Sequence, residues 1–155
     1  EITSGAYSAP PKLAVFPSSG YSGMVIEHGI EVNSLCSHHL LPFTGFCSLA
    51  YISKENGQVI GLSKLNRIVH WFAKRPQLQE QLTRQIHDYL VNVFGDTVLG
   101  IAVYIEAEHM CVSMRGAEDN STMTTHYCSG AFLTNEMNSR DEFLRAIQIY
   151  KLGRK

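Results

Sequence analysis

An α+β fold, an antiparallel sheet with helices laid against it, is the class this sequence predicts. Three observations carry it. A β-branched, alternating stretch runs through residues 24–52, two consecutive segments of helical periodicity fill residues 63–95, and strong alternation returns from Val98. The 155 residues, 45% of them hydrophobic, are enough for one core of ordinary size.

The elements follow in order. Residues 1–20 hold Ser8-Ala9-Pro10-Pro11 and Pro17-Ser18-Ser19-Gly20, a composition that predicts an extended N-terminal arm, with residues 21–155 forming a single domain. Val25, Ile26, Ile30 and Val32 predict a strand from Met24 to Val32. Phe43 to Ile52 predicts another, with Phe46, Ser48 and Ala50 on one face and Cys47, Leu49 and Tyr51 on the other. Asn56-Gly57 is a turn. Helical periodicity then begins at Ser63, a side chain suited to cap it. Pro76 ends that helix and can open the next, where Leu78, Leu82, Ile86, Leu90 and Val93 recur every three or four residues until Gly95. Val98 to Ala107 alternates as a strand, and a second strand is expected from Cys111 towards Arg115. Thr122 to Thr125 is β-prone, and Arg140 to Tyr150 reads as a closing helix. No internal repeat is present.

Composition excludes several functions. A net charge of −1 provides no basic field for nucleic acid and no acidic solvating tail. No apolar stretch nears the roughly 20 residues needed to span a bilayer. No secretory signal pattern is seen, and two of the four cysteines sit beside histidines. That company favours metal thiolates in a reducing compartment over disulfides, so a cytoplasmic protein is expected.

The chemistry concentrates in two short clusters, Cys36-Ser37-His38-His39 and His109-Met110-Cys111. Cys36 and His39 are three apart just ahead of Pro42, so a turn would bring both side chains together and leave His38 pointing elsewhere. His109 and Cys111 are two apart, and an extended backbone would aim both at one face. The economical reading is a zinc ion held by Cys36, His39 and Cys111 with a fourth position open, a catalytic rather than a structural donor count. Such a centre makes water nucleophilic at neutral pH, and His38 and His109 beside it can move protons in that range. Isolated cysteines are more often buried small hydrophobes, which remains the reading for Cys47 and Cys128.

A basic cluster is separate in sequence. Ser63, Lys64 and Arg67 fall within one helical turn, and a helix start bearing these groups suits a phosphate chain. Arg115 can join them. From this cluster alone a solvated basic face is the simpler reading. Gln79-Glu80 ordinarily complements the start of a helix, although an amide beside a carboxylate can also read a guanine edge.

Four stretches together resemble GTP cyclohydrolase I: Ser34 to Phe43, Gly61 to Val69, Gln77 to Thr83 and Glu106 to Gly116. The resemblance is collinear from about Tyr21 to Leu144. It implies a tunnelling fold (T-fold), a four-stranded antiparallel sheet with two helices on one face. It also implies a toroidal homo-oligomer, a decamer of two five-membered rings with active sites between subunits. Carried over by position, Cys36, His39 and Cys111 match the zinc ligands and His38 and His109 the catalytic histidines. Gln79 and Glu80 match the pair that holds guanine, while Ser63, Lys64, Arg67 and Arg115 match positions around the triphosphate. The implied reaction opens the imidazole ring of GTP to give 7,8-dihydroneopterin triphosphate and formate, at the entry to folate and pterin synthesis, with Zn2+ and no redox cofactor.

The pattern departs from the family in three places. Ser37 stands where the family has Glu, the family's helical N-terminal region has no counterpart in these residues, and the loop after Arg115-Gly116 is shorter and leads to His126-Tyr127-Cys128. These departures leave two alternatives: a sister zinc hydrolase acting on another purine, pterin or folate-type substrate, and a catalytically silent pterin- or nucleotide-binding ring subunit. Neither nucleic acid nor membrane is an expected partner.

Overall fold

A computed structural model describes residues 2–134 and 138–154. Residues 1, 135–137 and 155, parts of the expected arm and domain, lie outside the described residues. The order is β1 (Val15–Pro17), β2 (Met24–Cys36), β3 (Pro42–Ser53), β4 (Gln58–Ile60), α1 (Leu62–Ala73), β5 (Pro76–Gln77) and α2 (Gln79–Phe94). Then follow β6 (Val98–His109), the short α3 (Met110–Ser113), β7 (Thr122–Cys128) and α4 (Ser139–Leu152). The α+β class holds. The main sheet runs β5-β2-β3-β6-β7, and β1 pairs with β4 in a separate two-stranded sheet.

Four strands of the main sheet are antiparallel, from Leu35 opposite Pro42 through Phe43 opposite His109 to Glu108 opposite Thr122. A fifth, β5, adds two residues in parallel to Leu35 and Cys36. It was not expected, because a Pro-led pair of residues carries no strand pattern of its own. The register of β2 against β3 shifts between Glu27 and Ile30, where Gly29 takes φ 72°. That left-handed conformation comes without a Cβ penalty only to glycine.

Burial follows the sequence periods. Leu65, Ile68, Val69 and Phe72 of α1 and Leu82, Ile86, Leu90 and Phe94 of α2 lie inward, against Cys47, Leu49, Tyr51, Val103 and Ile105 of the sheet. Each such side chain contributes about 1.5–3 kcal/mol on burial, so the first turn of α2 is pinned against β6. The closing helix α4 takes the other face, where Phe143 and Ile147 meet Ala50, Ile52 and Ala102. The second half of β3 is therefore buried on both sides, and helices are not confined to one face.

Local expectations need three corrections. Gly61, not Ser63, caps α1 and no side chain supplies the cap bond. Pro76 does not open α2, which starts at Gln79 after Leu78. The strand expected from Cys111 towards Arg115 is instead the helical turn α3. Its cause is non-local: β3 begins at Pro42, which has no N–H to extend the ladder, so β6 runs out of partner at His109. Met114 N–H then closes back on Met110 O at 2.9 Å. Among the described residues no helix is long and apolar enough to cross a membrane.

Candidate metal centre

The turn from β2 into β3 builds half of the site. Cys36 N–H donates to Leu41 O, and Leu40 N–H to Cys36 O, each at 2.8 Å. Leu40 adopts φ 54° to close the turn. This folding back carries His39 over Cys36, with Sγ and Nδ1 3.6 Å apart. Cys36 is buried beneath it, while Ser37, His38 and His39 are exposed. His38 meets the His39 ring edge-on at 6.1 Å between centroids.

The other half comes from the end of β6. The helical turn that replaces the expected strand swings Cys111 towards the β2–β3 turn. The ligand atoms of Cys36, His39 and Cys111 all lie within 4.8 Å of one another. Sequence spacing anticipated this trio, although the extended geometry imagined for His109 and Cys111 does not occur. Burial raises the Cys111 thiol above its ordinary range, the adjacent Cys36 raises it further, and Arg115 opposes them weakly. A cation between the sulfurs reverses that preference, because it stabilises thiolate. Two soft sulfurs and one imidazole nitrogen, with a tetrahedral corner left over, therefore fit a divalent metal ion.

His109 is held differently from His38. Its ring stacks on Phe43 at 4.6 Å and 12°, and its Nε2 lies 2.8 Å from Gln79 Oε1. Burial lowers its pKa below the ordinary imidazole value, with Glu80 pulling the other way. A neutral ring at neutral pH is the result. Gln79 itself is buried, 1% exposed. Its Nε2 faces Ile105 O at 3.2 Å, Met123 O at 2.9 Å and Thr125 Oγ1 at 3.1 Å. Thr83 Oγ1 donates to Gln79 O at 2.8 Å and contacts Thr125 Oγ1 at 2.7 Å. Sequence reading missed Phe43, Thr83, Met123 and Thr125 as supports. Phe43 and Thr83 close two of the stretches that carry the resemblance and could have been suspected; Met123 and Thr125 lie outside all four.

The remaining candidates divide. Glu80 is exposed at the start of α2 and lines a cavity of ≈ 380 Å³ with Thr83, Arg84, Thr125, His126 and Tyr127. Arg115 follows α3 beside Cys111. Ser63, Lys64 and Arg67 lie elsewhere. Asn66 of the same turn hydrogen-bonds Glu27, and Ser34 donates to Arg75 O, so α1 runs alongside β2. Glu27 stands nine positions before Cys36, so the start of α1 meets β2 towards the end opposite the candidate metal ligands. Arg67 lines a groove of ≈ 310 Å³ against Ser4, Gly5 and Ser8 of the N-terminal segment.

Comparison with known proteins gives the family of the chain. The family model described as GTP cyclohydrolase I matches residues 1–148. A GTP cyclohydrolase 1 of Chlorobium chlorochromatii is 46% identical over 151 residues, covering 95% of this chain and 65% of that protein. One from Pseudoalteromonas translucida is 50% identical over 136 residues, covering 87% of this chain and 71% of the relative. One from Coxiella burnetii is 46% identical over 151 residues, covering 95% and 79%. The chain thus spans about two thirds of the length of several curated relatives it matches. It belongs to the GTP cyclohydrolase I family.

Proposed function

We propose that this chain is a catalytic subunit of a zinc-dependent GTP cyclohydrolase I that converts GTP to 7,8-dihydroneopterin triphosphate and formate. The observation that carries the reading is the convergence of Cys36, His39 and Cys111 within 4.8 Å, next to an imidazole, His109, that is oriented by its neighbours and neutral at working pH. Thiolate and imidazole donors in this number favour zinc. When bound there, the ion supplies the Lewis acidity that makes water nucleophilic near neutral pH.

The side chains supply the rest. Glu80, free of the sheet and facing a cavity, accepts hydrogen bonds from the guanine edge. Lys64, Arg67 and Arg115, with the Ser63 hydroxyl, neutralise the triphosphate. His38 and His109 deliver and recover protons as water adds at C8 and the C8–N9 bond breaks, a second water cleaves the remaining C8–N7 formamide bond to release formate, and the ribose rearranges and closes onto the freed amine with loss of water. No redox step is required.

The basic turn of α1 meets β2 at Glu27, away from the strand end that carries Cys36. This supports an active site shared between subunits of a T-fold ring. The sheet supports it too. Beyond the two-residue β5, the outer edge of β2 carries no partner strand among the described residues, and neither does that of β7. Two open edges at opposite ends of one sheet are what ring closure would pair. Four free cysteines accord with a reducing, cytoplasmic setting.

The test is direct. Metal-loaded protein incubated with GTP should release formate and, after oxidation, a fluorescent pterin; chelation should stop both and zinc restore them. Metal-dependent turnover of a folate or pterin but not of GTP would replace this reading with the sister-hydrolase one. Tight binding without any turnover would replace it with a silent subunit.

A further inference from the structure

Gln79 has a role that its neighbour Glu80 does not share. An amide of unknown orientation can present either oxygen or nitrogen to a histidine, but here the surroundings decide. Ile105 O and Met123 O are backbone carbonyls, which only accept. The Gln79 NH2 must therefore face them, and its two hydrogens are consumed by these two carbonyls and the Thr125 hydroxyl. Turning the amide over would set its oxygen against two carbonyl oxygens in a site 1% exposed, leaving buried polar groups unpaired at about 1–3 kcal/mol each.

With that end fixed, Oε1 is the atom 2.8 Å from His109 Nε2. A carbonyl oxygen cannot donate, so Nε2 must carry the hydrogen. In the neutral ring Nδ1 is then the bare nitrogen. Phe43, parallel to the ring within 12°, fixes its plane as well.

We propose that Gln79 is a positioning residue that fixes the orientation and the Nε2-protonated tautomer of His109. The inference rests on the proposed function for the use made of His109. The tautomer itself is a property of the protein alone. The side-chain hydrogens of Gln79 serve the sheet, its oxygen accepts from His109, and its backbone carbonyl takes the Thr83 hydroxyl.

Neutron diffraction from deuterium-exchanged, zinc-loaded crystals above neutral pH reads the tautomer without reference to activity. A deuteron on His109 Nε2, aimed at Gln79, is expected; a deuteron on Nδ1 with Nε2 bare would overturn the proposal even if the protein hydrolyses GTP normally. Gln79→Met, which keeps the length and apolar bulk but removes the acceptor, gives the kinetic arm. It should lower kcat for GTP on the order of 10- to 100-fold, as loss of a histidine's orienting partner does, with KM within about two-fold. Gln79→Glu should restore part of kcat, since a carboxylate oxygen can still accept from Nε2. A raised KM with kcat preserved would mean that Gln79 reads the base, and would sink the proposal while leaving the cyclohydrolase reading intact. No turnover of GTP by the wild type would sink that reading and leave the tautomer standing.

Discussion

The two candidate catalytic histidines sit a short distance apart in the molecule and are built in opposite ways. His109 ends a central strand, stacked on Phe43 and hydrogen-bonded to a buried amide. His38 stands on an exposed turn, touching only the edge of His39. One imidazole has its orientation fixed by the folded subunit. The other must be ordered by what binds to it or by a neighbouring subunit. The fold thus supplies a rigid half-site and an adaptable one, and the candidate metal ligands straddle them: Cys36 is buried, His39 is exposed and Cys111 lies between. The site proposed above, shared between subunits, would use this division, because its exposed half would accept groups that arrive from outside.

The comparison breaks most completely at the metal. Cys111→Ala removes one of three donors and should abolish both metal binding and turnover. Metal content by plasma mass spectrometry, read beside formate release, checks it. If the variant keeps a full metal complement, the donor set has been misidentified and the two histidines lose their common centre.

Next come the histidines themselves. His109→Ala and His38→Ala should each lower kcat by about 10²- to 10⁴-fold while leaving the metal bound. Their effects on folding should diverge. His109→Ala strands the Gln79 oxygen and uncovers Phe43, so a loss of about 1–3 kcal/mol is expected; His38→Ala should stay within about 0.5 kcal/mol. Urea denaturation of the metal-free proteins separates the two. Equal destabilisation would erase the distinction between a built-in and an adaptable imidazole.

How much of this contrast could be read from the sequence depends on the range of the forces involved. The Cys36–His39 spacing was legible because a turn is local, and Pro42 announces it. The helices were legible through Leu65, Ile68, Leu82 and Ile86, whose periodicity reflects one face meeting one core. The turn at Cys111 was not. Met110 to Met114 is as β-prone as a strand, and it coils only because the partner strand, nearly seventy residues earlier, starts with a proline. Ser63 was mistaken for the cap because its side chain is the better capping group, whereas the chain enters α1 through the extended Gly61. The environment of Gln79 was equally hidden. Glutamine is ordinarily exposed, and nothing near position 79 signals that Ile105, Met123 and Thr125 will close over it. The two-sided burial of β3 depends on α4, whose sequence says that it has an apolar stripe but not which face of the sheet receives it.

A smaller effect sharpens the account of how His109 is held. Phe43→Leu keeps an apolar side chain in a fully buried position and removes only the aromatic stack. The loss of stability should stay below about 1.5 kcal/mol, as for volume-conserving core changes, whereas kcat should fall several-fold as the ring loses its plane. Metal content should not change. An unaltered kcat would show that the Gln79 hydrogen bond alone positions His109.

The smallest effect concerns pH, and its sign follows from burial. The folded-state pKa of His109 lies below that of the unfolded chain because the ring is desolvated, with Glu80 only partly offsetting this. As pH falls through the ordinary imidazole range, the unfolded chain takes up the proton first. Stability therefore declines on acidification from the unfolded pKa down to the folded one, and then the contribution levels off. His109→Gln removes the titration but can still donate to Gln79, so the metal-free variant should lose less stability than the metal-free wild type between neutral and mildly acidic pH. Thermal melts of the two proteins across that range decide it: a slope unchanged in His109→Gln would mean that burial does not set the titration of that ring, and the contrast between the two histidines would then rest on their contacts alone.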